Sequence, residues 1–225
     1  MAPIGKLYGH PRQPQTKAIL SAAAISGLEI DLITFEFGVT NKLPEFTQNF
    51  PLAKIPAFED NEGFKLIEGT VIARYVSALV PKAGLLGHDV KETAEIDQWV
   101  HFAESEIYVP AANIYAGMVA KYLPAFSEEQ RKHYQEREER SLKFLDDYLA
   151  SRPSGFLVND SLTLADIVLA AGVQRVGQTV CGAKEREGAY RHVFAHFEKV
   201  TNDERIKHLF GEPGFVDEAL SFKAE

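Results

Sequence analysis

Phe50-Pro51-Leu52-Ala53-Lys54-Ile55-Pro56-Ala57-Phe58-Glu59-Asp60, followed by Gly63-Phe64-Lys65-Leu66-Ile67-Glu68-Gly69-Thr70, is the stretch on which the fold turns. It reads as a loop entering a short strand through Ile55-Pro56, a turn at Asp60-Asn61-Glu62-Gly63, and a second strand closing on Glu68-Gly69-Thr70. A helical pattern follows at Val71, Ile72, Tyr75, Val76 and Leu79. Pro56 stands where a strand should begin, and proline has no N–H to give to the ladder. It marks an edge or a kink, and X-Pro is the one bond where a cis peptide is cheap. A cis bond would turn the Ile55 N–H and C=O outward, toward an extended, peptide-like ligand. Gly69 and Thr70 open the next helix with unpaired N–H groups and a hydroxyl, a seat for a carboxylate. Glu68 beside them suits an ammonium group.

Upstream, Lys6-Leu7-Tyr8-Gly9 reads as a strand and His10-Pro11-Arg12-Gln13-Pro14 as the turn after it. Thr16 to Ser26 carries a helical pattern stopped by Gly27, and Glu29 to Phe35 alternates as a second strand. Strand, helix, strand is a βαβ unit with a parallel pair. A possible short helix at 43–50 completes a β-α-β-α-β-β-α half. Downstream, Pro81-Lys82-Ala83-Gly84 breaks the pattern, and everything after it has helical period. A long helix is expected from Glu92 to about Ala120, kinked at Pro110. Ser127-Glu128-Glu129-Gln130 and Thr163-Leu164-Ala165-Asp166 are capping boxes opening two more, and a fourth apolar face runs from Ala189 to Val200. The expected organisation is an α/β domain at 1–80, a linker at 81–88 and an all-helical domain at 89–225.

Composition narrows the function. With 225 residues and 45% hydrophobic content, the chain can bury one substantial core or two small ones. A net charge of -8 argues against a nucleic-acid partner, which needs a basic face. A single cysteine, Cys181, excludes an intramolecular disulfide framework and a multi-cysteine zinc site, and no metal is expected. Nothing reads as a signal peptide or membrane span, so a soluble, cytoplasmic protein is expected.

The stretch around Ile55-Pro56 and Glu68 resembles the glutathione site of the glutathione transferase superfamily. A peptide backbone, a carboxylate and an ammonium together describe one end of glutathione. Within the superfamily, 50–58 and 63–68 look most like the transferase-like domain of the gamma subunit of eukaryotic translation elongation factor 1. Leu85-Leu86-Gly87, the helix through Trp99, and Leu162-Thr163-Leu164-Ala165-Asp166 continue the likeness over most of the chain. The resemblance implies a thioredoxin-like N-terminal domain and an all-α C-terminal domain. It also implies glutathione held by Lys54, Ile55, Pro56, Glu68, Gly69 and Thr70. Lys54, ahead of Lys42, would pair with the glycine carboxylate, with Asn49 or Gln48 as hydrogen-bonding neighbours. The family often has serine after the acid; Gly69 removes that hydroxyl and keeps the backbone donor.

Transferase chemistry uses the glutathione thiolate, and a free thiol of pKa near 8.5 is mostly protonated at neutral pH. Lowering it by about two units takes roughly 2.7 kcal/mol of preferential anion stabilisation. The family places tyrosine, serine or cysteine after the first strand for this task, and Arg12-Gln13-Pro14-Gln15-Thr16 has none. A theta-like alignment puts that position on Arg12 and a phi-like one on Gln13. Arg12 is the first candidate activator and Gln13 the second, with His10 a neighbour; the alternative is a site that binds without activating. His101, Tyr108 and Tyr115 recur seven apart on one helical face. They read either as interhelical packing or, with His10, as the wall of a pocket for a hydrophobic electrophile. Cys181 is expected to be a buried structural thiol, and Asp166 a cap worth on the order of 1 kcal/mol or more. Two functions follow: a glutathione transferase forming a homodimer, or a non-catalytic interaction domain associated with elongation factor 1. The sequence carries neither the lysine-rich linker nor the further domain of the gamma subunit; a stand-alone enzyme is expected if these 225 residues are the whole gene product, and the interaction domain if they are a piece of a longer subunit.

Overall fold

The computed structural model describes residues 2–222, and the chain divides after Leu86 into two compact units. In the first, strands β1 (Gly5–Tyr8), β2 (Asp31–Ile33), β3 (Ala57–Asp60) and β4 (Lys65–Ile67) form one sheet in the order β2-β1-β3-β4. β1 and β2 run parallel and are joined through helix α1 (Pro14–Ile25). A one-turn helix α2 (Pro44–Thr47) precedes β3, which lies antiparallel to both β1 and β4. Helix α3 (Gly69–Ala78) follows the hairpin and packs against α1.

Side chains alternate across a strand, so Leu7 and Tyr8 face opposite sides of the sheet. Leu7 and its register partner Phe58 are fully buried, as are Ile19 and Ala22 of α1 and Ile72, Ala73 and Val76 of α3. Small residues at 18, 22 and 73 suit the close approach of those helices. Tyr8 joins an aromatic cluster, its ring 5.2 Å from Phe46 and 5.7 Å from Phe50. That cluster shortens the second strand relative to the sequence expectation. Phe35 leaves the strand after Ile33 to bury edge-on against Phe46 at 5.4 Å. Helix α1 starts two residues earlier than its apolar pattern, because Pro14 sits at the first helical position, where its missing N–H costs nothing.

The second unit is helical: α4 (Val90–Phe102), α5 (Val109–Met118), α6 (Glu128–Ala150), α7 (Leu164–Gly177), α8 (Ala183–Glu187), α9 (Arg191–Thr201) and α10 (Lys207–Phe210). The short α8 and α10 carry too few turns to show a period in sequence. All of α7 is buried, packed against α4, α5 and α9. The kink expected at Pro110 is resolved differently. One π turn at Ala103–Tyr108 joins α4 to α5, closed by the Val109 N–H on the Glu104 carbonyl five residues back. Proline lacks a donor and its ring crowds the carbonyl four residues earlier; one extra residue in the preceding turn relieves that crowding.

Two buried carboxylates organise this unit. Asp166, with no exposed surface, accepts from Leu157 N and His196 Nε2 on Oδ1, both at 2.9 Å. Its Oδ2 accepts from Thr163 N at 2.9 Å and Thr163 Oγ1 at 2.8 Å. It is a cap that also ties a loop and α9 to the start of α7. Glu138 is the opposite case. It is fully buried in α6, and neither of its oxygens meets a donor at hydrogen-bonding geometry. Burial holds its carboxyl well above the usual range, offset only in part by the Ala111 N–H and Arg137, and reinforced by Glu106.

Asp166→Ala leaves three elements with orphaned donors, so it is expected to lower stability by about 3 kcal/mol or more in chemical denaturation. Glu138 predicts a pH dependence. Its folded pKa lies above the unfolded one, so its contribution is fully present below the ordinary glutamate range and is lost as pH rises toward the folded value. Denaturation of wild type and Glu138→Gln between acid and mildly alkaline pH should show the variant gaining relative stability as pH rises. The gain should approach about 1.4 kcal/mol per pH unit within the window.

Candidate functional site

The register of the hairpin assembles most of the predicted residues. Ala57 pairs with Ile67 across β3 and β4 and with Tyr8 across β1. Pro56 therefore stands opposite Glu68 on one side and Gly9 on the other. The Ile55-Pro56 peptide is cis. Gly69, the first residue of α3, lies against both Pro56 and Gln15: a Cβ built on it would be 3.4 Å from Pro56 Cγ and 2.5 Å from Gln15 Cβ. Glu68, the N-cap of α3, is exposed and has φ 71 and ψ 113, a conformation that non-glycine residues rarely adopt. Such backbone costs on the order of 1–3 kcal/mol and clusters at ligand sites. Sequence alone carried no sign of it.

The first turn of α1 meets the same place. Gln13, the N-cap, does not cap its own helix; its Nε2 donates to the Ile55 carbonyl at 3.0 Å. Its Oε1 accepts from Thr16 Oγ1 at 2.8 Å. Arg12 is exposed, its N–H donating to His10 Nδ1 at 3.1 Å, and His10 is exposed as well. Lys54 is exposed next to Ile55; Lys42 lies in a separate exposed turn. Asn49 is directed away, its Nδ2 donating to Glu45 O. Gln13, Gln15, Ile55, Pro56, Glu68, Gly69 and Thr70 thus form one cluster, with Arg12, His10 and Lys54 on its rim. Gln15 and Thr16 were absent from the sequence reading of the site. The available signal was the pair of glycines, Gly9 and Gly69, that make room for them.

Tyr108 and Tyr115 belong to the second unit. Both are half-buried, whereas His101 is exposed; the π turn between 101 and 108 breaks the seven-residue face. The Tyr115 ring is covered by the Arg175 guanidinium at 3.7 Å, so this wall is polar as well as aromatic. Cys181 is buried, and desolvation, reinforced by the negative field of Glu138, pushes its thiol far up, away from nucleophilic use. Tyr190 is likewise raised to about 12, chiefly by burial.

The crowding at Gly69 makes a counterintuitive prediction. Gly69→Ser, which installs the family's usual residue, places a Cβ 2.5 Å from Gln15 Cβ and 2.7 Å from its Cγ. It should lower stability by about 1–3 kcal/mol in thermal or chemical denaturation.

Comparison with known proteins agrees with this fold. Residues 3–78 match the family described as glutathione S-transferase, N-terminal domain, and residues 112–211 match glutathione S-transferase, C-terminal domain. The chain is 34% identical over 218 residues to the glutathione S-transferase-like protein LUC7 of Fusarium sp, covering 96% of this chain and 97% of that protein. It is 31% identical over 225 residues to human elongation factor 1-gamma, covering 98% of this chain and 49% of the factor. Among solved structures, the glutathione transferase URE2P6 of Phanerochaete chrysosporium, in complex with oxidized glutathione, superposes with a TM-score of 0.82 at 21% identity, covering 94% of this chain and 97% of that one. A mixed four-stranded domain ahead of a helical one, and similarity along nearly the whole chain, identify this protein as a member of the glutathione S-transferase superfamily.

Proposed function

We propose that the chain is a glutathione transferase, binding glutathione at the Ile55-Pro56 and Glu68-Gly69-Thr70 cluster and conjugating its thiolate to a hydrophobic electrophile. The observation that carries this is the convergence at one point of three independent features. These are the Ile55-Pro56 main chain, whose Ile55 carbonyl accepts from Gln13, a strained exposed acid at Glu68, and the N-terminus of α3. The α3 N–H groups and Thr70 suit the γ-glutamyl carboxylate, Glu68 its ammonium, and Ile55 the cysteinyl main chain. Lys54 on the rim suits the glycine carboxylate. The solved relative named for its oxidized glutathione complex supports the ligand class.

Activation of the thiol falls to Arg12 or Gln13, with His10 beside them in the same turn, and Tyr108 and Tyr115 of the helical unit suit contact with a hydrophobic electrophile. Glutathione is a co-substrate, and the donor set around it calls for no metal. A homodimer fits the apolar face of the first unit. A groove of about 200 Å³ beside the exposed edge strand is lined by Leu52 and Ile67, which are 62% and 40% exposed, and Val71 on α3 is 48% exposed. A cytoplasmic location fits a single thiol with no disulfide partner. No helix among the described residues is long and apolar enough to cross a membrane.

Two observations favour a second reading. The turn after β1 holds no serine, cysteine or tyrosine, and the similarity to elongation factor 1-gamma runs along 98% of the chain. A non-catalytic interaction domain meeting an elongation-factor partner would need the fold without the thiolate. Calorimetric titration with glutathione on wild type and Glu68→Ala, followed by thiolate absorbance of the complex, separates the two. Wild-type binding, weakened about tenfold or more in the variant, with a thiol pKa below the free value, is the expected result. No wild-type binding would leave the interaction domain.

A further inference from the structure

We propose that the Gln13 amide is the group that faces the glutathione thiolate, and that the buried Thr16 is the residue that positions it. The assignment rests on the glutathione reading above, and it names the activator that the sequence left open.

The argument begins with Gly9. A Cβ built on it would be 2.5 Å from Thr16 Oγ1 and 3.0 Å from Thr16 Cγ2, so the residue after β1 must be glycine for the threonine to lie where it does. Thr16 has no exposed surface. Its single hydroxyl proton is given to Gln13 Oε1 at 2.8 Å, which fixes the amide's orientation. The nitrogen end then faces the Ile55 carbonyl, donating one of its two protons at 3.0 Å. An amide is planar. With its oxygen held by Thr16 and one N–H held by Ile55, the second N–H has a fixed direction, and in this assignment the glutathione sulfur lies along it.

On binding, the thiol proton leaves to solvent and the sulfur keeps its electron pair. Gln13 donates a hydrogen bond to that anion and transfers no proton. A fixed neutral donor needs no reorganisation when the charge appears. Arg12 is exposed at the rim, whereas Gln13 is half-buried and held at both ends of its amide. Thr16 touches no ligand and acts only through Gln13.

The test is the apparent pKa of glutathione's thiol in complex with wild type, Thr16→Val, Thr16→Ser, Gln13→Leu and Arg12→Ala, read by thiolate absorbance at saturating ligand. Thr16→Val keeps the shape and removes the hydroxyl. It should raise the bound thiol's pKa by about one unit, while Thr16→Ser stays at the wild-type value. Gln13→Leu should give at least the same rise, and adding Thr16→Val to it should give none further, as expected for residues acting in series. Gln13→Leu lies at a half-buried N-cap and reads out the proposal even if the valine variant misfolds. A valine variant with the wild-type thiol pKa overturns the role of Thr16. Retention of the shift in Gln13→Leu with its loss in Arg12→Ala overturns both assignments in favour of the arginine. Wild type that binds glutathione with an unshifted thiol overturns the proposal and leaves the binding site intact. Wild type that fails to bind glutathione overturns the binding reading and this assignment with it.

Discussion

A carboxylate with no solvent contact holds the helical unit in register. Asp166 takes donors from the residue at the start of its own helix, from the loop at Leu157 and from His196 on α9. Each of those groups would otherwise be a buried, unsatisfied donor, and the cost of orphaning one exceeds the gain from making it. The bonds are thus less a reward for the native arrangement than a penalty on every other one. Asp146 repeats the device on α6. It accepts from His192 N at 2.8 Å and Val193 N at 3.1 Å, supplying the first turn of α9 with a cap that its own sequence lacks. Helices tied by side chains of other helices cannot slide independently, which fixes α9 against both α6 and α7.

The first unit solves the same problem with neutral groups and missing side chains. Gln13 ties the turn after β1 to the loop before β3, and Gly9 and Gly69 let α1 approach closely enough to do so. Dense packing makes these positions interdependent. The glycine at 69 looks in sequence like a lost serine. In the structure it is the complement of Gln15, whose stem fills the space a side chain there would need.

Most of the architecture was legible because it is written in local patterns. The Ile55-Pro56 pair, the hairpin turn with Gly63 at φ 85, the capping box at Thr163 and Asp166, and the parallel βαβ opening all use residues within a few positions of one another. What was not legible is non-local. Asp166 was readable as a cap because Thr163 is three residues away, whereas its bond to His196 spans thirty. The π turn was misread as a kink because composition shows that Pro110 needs relief and not which turn will widen. Glu68 was found as a candidate from its neighbours, while its left-handed backbone depends on how β4 meets α3. Gln13 and Ile55 were each found, and the bond between them was not, since no pattern in the chain links residue 13 to residue 55.

The same distinction bears on the two candidate activators of the proposed reading. Stabilising a thiolate by about two pKa units takes roughly 2.7 kcal/mol. An arginine in water, even 4 Å from the sulfur, supplies about 1 kcal/mol, since the solvent that hydrates it also screens it. A hydrogen bond to an ionised acceptor contributes about 1.5–3 kcal/mol when the donor is already oriented. Exposure counts against Arg12, and the fixed Thr16–Gln13–Ile55 chain counts for the weaker-looking neutral amide. The buried Thr16 behind Gly9 and the Ile55 carbonyl together give the Gln13 amide one orientation.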